Sequence, residues 1–319
     1  MRPTAMASRD DVPAARPGTH QFRRPEWLAR SKRPTALHTE EMGECGPLLV
    51  FLHGIAGSTR YWMPRVWPLA SDHRLVAVDL LGFGRSPIPW ARYTVERHIE
   101  ELHKTIGDRG PLILVGHSYG AIVALAYAAA HPAQVQGLVL VSLPFFMSES
   151  AARRHFTRRS SPDRWVFRNL MFAALACMAT RRLLHRLLPK FLPNLPKEVV
   201  EDIAAHTWRS FTSTFWEGVY RYHPQVAVER LSPDLPVLCL HGDQDATAPL
   251  AGVMSLRSTQ PTWSFSIMEG VDHHPLLRES ARCRGAIRRF VQSTDDRTRQ
   301  AARDTKAIAL PQSVRPGAP

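Results

Sequence analysis

The chain has 319 residues, of which 44% are hydrophobic and 22% charged, and its formal net charge at pH 7 is +13. This composition is typical of a soluble globular protein. The positive charge raises the question of a nucleic-acid partner, but no zinc finger, aromatic-interleaved RNA motif or heptad-supported basic region accompanies it, so we expect no nucleic-acid binding.

The ends of the chain differ in composition from its middle. Residues 1–33 are rich in proline and arginine without hydrophobic periodicity, which predicts a disordered or loosely attached N-terminal extension. Residues 293–319 are polar as well, and we expect them to form a flexible C-terminal tail.

Three features of the sequence bear on the cellular location of the protein. The first twenty residues lack the apolar run of a signal peptide. The longest apolar stretch, Leu170–Thr180, is shorter than the roughly 20 residues that a membrane-spanning helix needs. The four cysteines are far apart and form no CxxC pair, which favours a reduced compartment. These features together predict a cytoplasmic protein.

Between residues 34 and 292, short apolar runs alternate with helical patterns. The runs are Leu48–Leu52, Arg74–Val78, Leu112–Val115, Gly137–Val141, Pro236–Leu240 and Ser264–Met268. The helical patterns are Val95–Ile106, Tyr119–Ala130 and Leu276–Val291. Because continuous apolar runs are typical of strands covered on both faces, we predict an α/β fold with a mostly parallel central sheet between helices.

The interval 145–230 breaks this alternation. It has the pattern of several helices punctuated by prolines, and residues 151–230 contain 14 Lys/Arg against 6 Asp/Glu. We predict a helical cap over residues 145–230, inserted between the core segments 34–144 and 231–292. Its apolar blocks either pack on the core or select a lipophilic substrate, and its basic face is either solvated or makes weak contact with an anionic membrane.

The stretch GHSYG places a serine where a predicted strand passes directly into a helix. Such a junction forces a tight turn, and Gly116 and Gly120 remove side chains that would clash there. The hydroxyl of Ser118 would then project from the end of the sheet, where an adjacent base can activate it as a nucleophile.

A serine nucleophile needs a base, and the base needs an orienting acid. Both kinds of residue follow the last two predicted strands, at the edge where an open parallel sheet builds its sites. The candidates are Asp243, Asp245, Asp272, His273 and His274.

Five segments of this region resemble motifs of the α/β-hydrolase superfamily. In chain order they are HGIAGS, DLLGFGRS, GHSYG, GDQDATAP and GVDHHPLL. The resemblance implies an α/β-hydrolase fold, with the helical cap inserted after the sixth strand. It also implies a serine hydrolase of the carboxylesterase or lipase type that uses no metal and no organic cofactor.

By position, the resemblance implies that Ser118 is the nucleophile, Asp245 the acid and His273 the base. Asp243 would then be a structural residue of its loop. His274 stays open as a competing base, because the histidine loop departs from the family pattern at two positions. The departures are Asp272 in place of a glycine, and Arg278 in place of a common glutamate with Glu279 one residue later.

An oxyanion hole needs two donors that point to where negative charge develops. The resemblance implies the backbone N–H groups of Ile55 and Tyr119, with His53 and Gly54 supporting the turn. Asp79 and the glycines of its loop are expected to shape that loop rather than to bind substrate.

The favoured function is hydrolysis of a carboxylic ester of small to medium lipophilic size through an acyl-enzyme. The same triad would also serve an acyltransferase, a thioesterase or a C–C bond hydrolase, and a non-catalytic ligand-binding member of the fold is a further alternative. A small-molecule ester is the expected partner, and the oligomeric state is left open by the sequence.

Overall fold

The computed structural model describes residues 36–158, 169–184 and 188–309, and the predicted extension 1–33 lies outside them. Seven strands form one sheet: β1 (Thr39–Met42), β2 (Leu48–Leu52), β3 (Arg74–Val78), β4 (Leu112–His117), β5 (Val135–Val141), β6 (Val237–Gly242) and β7 (Ser264–Met268). Their order is β1-β3-β2-β4-β5-β6-β7, with β1 antiparallel to β3 and the other neighbouring pairs parallel. The predicted mostly parallel α/β sheet is confirmed.

Helices surround the sheet and fill the segment between β5 and β6. Within the same described residues they are α1 (Met63–Val66), α2 (Val95–Ile106), α3 (Tyr119–Ala130), α4 (Glu149–Arg158), α5 (Leu170–Ala179), α6 (Leu188–Phe191), α7 (Lys197–Ala205), α8 (Trp208–Phe215), α9 (Pro224–Arg230), α10 (Leu250–Met254), α11 (Leu256–Thr259), α12 (Pro275–Arg278) and α13 (Ser280–Ala309). Threonines cap two of them, since the Thr94 side chain accepts from the Arg97 amide and the Thr207 side chain from the Ser210 amide.

The apolar strand runs are buried on both sides, as their composition predicts. Along β2, Val50 and Leu52 join the core formed with α2 and α3, whereas Leu49 and Phe51 join the core formed with α13. Successive side chains of a strand point to opposite faces, so a run that is apolar at every position serves two cores at once.

Two elements differ from the sequence-based expectations. Strand β1 was not predicted, because its sequence TEEM has two glutamates and its side chains are only partly buried at the sheet edge. The last helix continues to Ala309, past the point at residue 293 where a flexible tail was predicted. Thr294 is buried on this helix and Asp295 pairs with Arg299 one turn later, so the polar sequence still has a packed side.

The helices α4 to α9 lie between β5 and β6 and contact the core through polar side chains. Glu217 pairs with Arg92 at 2.6 Å, and the Ser213 hydroxyl accepts from the Tyr93 amide at 2.9 Å. Among the described residues this helical segment follows the fifth strand, whereas the sequence predicted it after a sixth. Its role as a cap over the site stays a prediction.

The structure also shows the state of the cysteines and the character of the longer helices. All four cysteines are unpaired, with Cys45 exposed and the other three buried. Among the described helices, none combines the length and the hydrophobicity needed to cross a membrane.

Candidate active site

Ser118 stands at the junction of β4 and α3 in a strained backbone conformation, with φ 54° and ψ −119°. The strand enters the helix with no intervening loop, so neighbouring backbones come very close. A Cβ atom added to Gly120 would lie 2.3 Å from the Leu52 carbonyl oxygen, and one added to Gly116 would lie 2.3 Å from the Gly120 carbonyl oxygen. Both glycines are therefore required by the turn that presents Ser118.

The structure brings Ser118, His273 and Asp245 into one hydrogen-bonded chain. The Ser118 Oγ lies 2.9 Å from His273 Nε2, and His273 Nδ1 lies 2.8 Å from Asp245 Oδ2. A carboxylate can only accept, so Nδ1 carries the proton and Nε2 is left to accept from the serine hydroxyl. Ser118 lies 155 positions from His273, and Asp245 lies 28 positions from it. Each of the three follows the carboxyl end of a different strand, β4, β7 or β6.

The Asp245 carboxylate is fully enclosed and held from several sides. Its Oδ1 accepts from the amides of Thr247 and Ala248, each at 2.8 Å, while His241 Nε2 lies 3.4 Å from Oδ2. Burial raises the pKa of this carboxyl, but the hydrogen bond and charge of His273 and the hydrogen bond from the Ala248 amide outweigh burial, so the pKa is held below its ordinary value. Asp245 is thus fixed as an anion beside the imidazole.

Asp243, the other aspartate of this loop, forms hydrogen bonds with the backbone rather than with His273. Its Oδ1 accepts from the Gly270 amide at 2.7 Å, which ties the loop after β6 to the loop after β7. Its own amide donates to the carbonyl of Met268, the last residue of β7, at 3.1 Å. Asp243 thus holds its loop to the end of β7 and to the loop that follows.

His274 lies beside His273 but points elsewhere. Burial, followed by the charge of His273, lowers the pKa of His274 to about 3, and its Nδ1 has no hydrogen-bond partner among the described residues. The two departures from the family pattern pair with each other, since Arg278 contacts Asp272 Oδ2 at 2.6 Å. Asp272 also accepts from the His274 amide at 3.0 Å, so this pair holds the loop that presents His273.

The turn after β2 lies directly against the serine. A Cβ atom added to Gly54 would lie 3.1 Å from Ser118 Cβ, so the turn and the elbow are in van der Waals contact. The amide of Tyr119 begins α3 and has no intrahelical acceptor. Among the described residues, neither this amide nor that of Ile55 donates a hydrogen bond, so both N–H groups are free to bind an anion.

His53 uses both ring nitrogens to organise this turn. Its Nε2 accepts from the Leu80 amide at 2.9 Å, which leaves Nδ1 protonated to donate to the Gly54 carbonyl at 2.7 Å. Burial lowers the pKa of His53, so the ring stays neutral. Neither nitrogen is available to act on a substrate.

Asp79 supports the same turn from the neighbouring loop. One carboxylate oxygen accepts from the Thr59 amide at 2.6 Å and the other from the Arg85 amide at 2.8 Å. A Cβ atom added to Gly84 would collide with this carboxylate, which accounts for the glycine and its positive φ.

His117 is a residue of the site that sequence reasoning missed. Its Nε2 donates to the His273 carbonyl at 2.8 Å, and its ring stacks on Tyr61 with 4.5 Å between the centroids. Burial lowers its pKa well below the ordinary value for histidine, so the ring acts as a neutral donor. The available signal was its place beside the nucleophile in GHSYG, where a polar side chain ends an apolar strand.

Two contacts between the inserted helices and the site were also missed. A Cβ atom added to Gly218 would lie 2.2 Å from the Tyr119 ring, so the π-helical segment Trp216–Arg221 that continues α8 packs on the residue next to the nucleophile. On α7, Asp202 accepts a 2.5 Å hydrogen bond from Ser58 and pairs with Arg60 at 3.1 Å. Both contacts join residues far apart in sequence. The one local signal for the first contact was Gly218 itself, a glycine within a helical pattern of aromatic residues.

Comparison with known proteins gives relatives that are similar in sequence over most of this chain. A probable lysophospholipase of Arabidopsis thaliana, BODYGUARD 2, is 26% identical over 256 residues, covering 70% of this chain and 54% of that protein. The chain therefore spans little more than half the length of this relative.

Solved structures agree with the fold. A thermophilic esterase from Thermogutta terrifontis superposes with a TM-score of 0.62 at 23% identity, covering 81% of this chain and 93% of that one. A membrane phospholipase A, described as a bacterial virulence factor, superposes with a TM-score of 0.62 at 25% identity, covering 83% and 86%. The family model for the alpha/beta hydrolase fold matches residues 47–278, and the chain belongs to the α/β-hydrolase family.

Proposed function

We propose that this protein is a serine hydrolase that cleaves carboxylic esters through an acyl-enzyme. The observation that carries the proposal is the unbroken chain from Ser118 through His273 to Asp245, with hydrogen-bond distances of 2.9 and 2.8 Å. A serine, a base that can accept its proton and an anion that orients the base are the parts that acyl transfer needs.

In the first half-reaction, His273 Nε2 takes the proton of Ser118 as the oxygen attacks the ester carbonyl. The Asp245 carboxylate keeps Nδ1 protonated and stabilises the imidazolium that forms. The imidazolium then gives its proton to the leaving alcohol, and the acyl group stays on Ser118. Water repeats the sequence in the second half-reaction and releases the acid.

Negative charge develops on the carbonyl oxygen in both half-reactions. We assign its stabilisation to the N–H groups of Ile55 and Tyr119, which have no other acceptor among the described residues. His53 holds the first of these in place through the Gly54 carbonyl, and α3 holds the second at its first residue.

The proposed substrate is an ester with a lipophilic acyl or alcohol group. An apolar cluster from the inserted helices, which includes Phe156, Phe215 and Tyr220, packs against the side chain of Ile55. A carbonyl held at Ile55 would therefore extend its chain toward aromatic side chains. The names of two relatives, a probable lysophospholipase and a membrane phospholipase A, fit a substrate of this kind.

The proposal is tested by fluorophosphonate labelling and a series of p-nitrophenyl esters from acetate to dodecanoate. Labelling at Ser118 is expected, together with a rise in kcat/KM with chain length of up to about fourfold per buried methylene until the pocket is full. A labelled enzyme with a flat chain-length profile would contradict the lipophilic substrate but not the triad. Absence of labelling and of turnover would contradict the hydrolase itself.

Transfer to an acceptor other than water, thioester cleavage and C–C bond cleavage stay alternatives on the same triad. Product analysis with an added alcohol tests the first, since a transferase forms a new ester in preference to the free acid even when the alcohol is dilute in water. Turnover of a thioester and of a β-diketone tests the other two. The cytoplasmic location is likewise a proposal, supported by the wide spacing of the four cysteines, none of which is paired.

A further inference from the structure

Helix α5 exposes apolar side chains although its sequence has no polar face. Its ten residues, LMFAALACMA, contain no charged or amide side chain, and such helices are ordinarily buried on every side. Ala173 and Cys177 are buried, but Met171 is 61% exposed and Leu175 is 50% exposed. One side of α5 thus lacks the cover that its composition requires.

Exposed aromatic and aliphatic side chains from two other segments join this side of the helix. Trp208 at the start of α8 is 37% exposed, and Trp90 in the loop before α2 is 83% exposed. Both tryptophans line a cavity of about 400 Å³ together with Ile88 and Met178. Contiguous exposed apolar surface of this kind marks an interaction site.

Three arginines line the same cavity. Arg181 and Arg182 follow the C-terminal end of α5 and are exposed, and the Arg209 guanidinium stacks on the Trp90 ring. Within the described part of the chain, no carboxylate pairs with any of the three. The arginines carry an uncompensated charge of the same sign as the +13 of the whole chain.

We propose that this surface docks the protein on an anionic lipid bilayer. We call it the α5 face and define it by its apolar and basic members: Ile88, Trp90, Met171, Leu175, Met178 and Trp208, with Arg181, Arg182 and Arg209. The apolar side chains enter the boundary between headgroups and acyl chains, and the guanidinium groups bind lipid phosphates and carboxylates.

Charge complementarity selects a bilayer as the occupant. Tryptophan and arginine share the needs of a membrane interface, because each presents an apolar body beside a polar tip that stays wet. Arginine also matches the planar, bidentate geometry of phosphate oxygens. The α5 face combines exposed Trp, Met and Leu with three arginines that pair with no carboxylate of the described residues. It therefore fits both the acyl-chain boundary and the anionic headgroups of a membrane surface.

The test is co-sedimentation of the full chain with vesicles of phosphatidylcholine containing 30% phosphatidylserine, at about 20 mM and at about 300 mM salt. We expect binding at low salt that weakens with added salt and that is absent with pure phosphatidylcholine. The triple variant Arg181→Gln, Arg182→Gln, Arg209→Gln should lose on the order of a hundredfold, or about fivefold per arginine.

Matched variants separate the α5 face from net charge. Arg257→Gln, Arg289→Gln and Arg303→Gln remove the same charge from exposed arginines of α11 and α13 and should leave binding within about twofold. Trp90→Ala should weaken binding severalfold, and Trp67→Ala, at a tryptophan 59% exposed elsewhere, should not.

Some outcomes overturn the proposal. No binding at low salt, equal binding to neutral vesicles, or equal losses in the two triple variants would each overturn it. The Ser118→Ala variant should bind vesicles as the wild type does, so failure of the docking surface and failure of the proposed ester hydrolysis are distinguishable.

Discussion

The triad and the α5 face differ in how completely their groups find partners. At the triad, each oxygen of Asp245 and each ring nitrogen of His273 has a defined contact, and the turns around them are fixed by glycines. At the α5 face, tryptophans and arginines stand exposed around a cavity. Displacing any one residue of the triad should therefore abolish its function. At the α5 face, each side chain should add a similar increment to the binding affinity.

The largest expected effect concerns the nucleophile. Ser118→Ala should lower kcat by on the order of 10⁶-fold, because no other hydroxyl among the described residues is bonded to His273 Nε2. The fold should be unchanged, since alanine has the same cost as serine at a positive φ. Steady-state turnover of p-nitrophenyl butyrate, with circular dichroism to check the fold, measures both.

Ser142→Ala provides the matched control for that variant. Ser142 also has a positive φ, 50°, and its buried hydroxyl has no partner among the described residues. We expect this variant to keep activity within about twofold. Activity close to wild type after loss of the Ser118 hydroxyl would remove the nucleophile assignment.

The two adjacent histidines offer the next test. His273→Ala should lower kcat by on the order of 10⁵-fold, because the proton of Ser118 would have no acceptor. The His274 ring has no hydrogen bond to Ser118 or Asp245 in the part of the chain that the structure describes, so His274→Ala should lower kcat by about tenfold or less. If the ranking were reversed in kinetics of the purified variants, the triad would have to be rebuilt around His274.

The two aspartates should separate by a smaller margin. Asp245→Asn should lower kcat by on the order of 10⁴-fold, because an amide can hold the imidazole in the wrong tautomer and does not stabilise its charged form. Asp243→Asn keeps an acceptor for the Gly270 amide and should stay within a fewfold of wild type. Equal losses in kcat at the two positions would leave the acid unassigned.

The smallest effect is expected where the inserted helices meet the core. Asp202→Ala removes the acceptor of the Ser58 O–H, whose oxygen still accepts from the Arg60 amide, and should lower the free energy of unfolding by about 1–3 kcal/mol. Glu201→Ala removes an exposed partner of Arg60 and Lys197 and should cost about 0–1 kcal/mol. Urea denaturation of both variants gives the comparison, and a larger loss for Glu201→Ala would contradict this account of how α7 is held.

The sequence predicted the sheet and the order of the site segments because their signals are local. The run Leu48–Leu52 is apolar at every position, and its bounds are those of β2. Strand β1 was missed because an edge strand needs no apolar run, and the contact of Gly218 with Tyr119 was missed because it joins positions 99 residues apart. Such contacts depend on how the inserted helices pack, and helical periodicity carries no information on that packing.

The Asp272–Arg278 pair shows a further limit of position-by-position reasoning. Each residue by itself departs from the family pattern and suggests that the histidine loop is shifted. In the structure the two side chains form one ion pair at 2.6 Å that holds the loop in place. Two departures that compensate each other are visible only when the distance between them is known.

At Ser118 the backbone conformation that catalysis requires lowers the stability of the fold. Glycine is the residue that best tolerates φ near 54°, so Ser118→Gly should relieve part of a strain of about 1–3 kcal/mol. A lineage that no longer needs the reaction would then gain a firmer fold by losing its nucleophile first. Selection for thermal tolerance alone would not retain the serine, so a screen for robust variants has to score turnover as well.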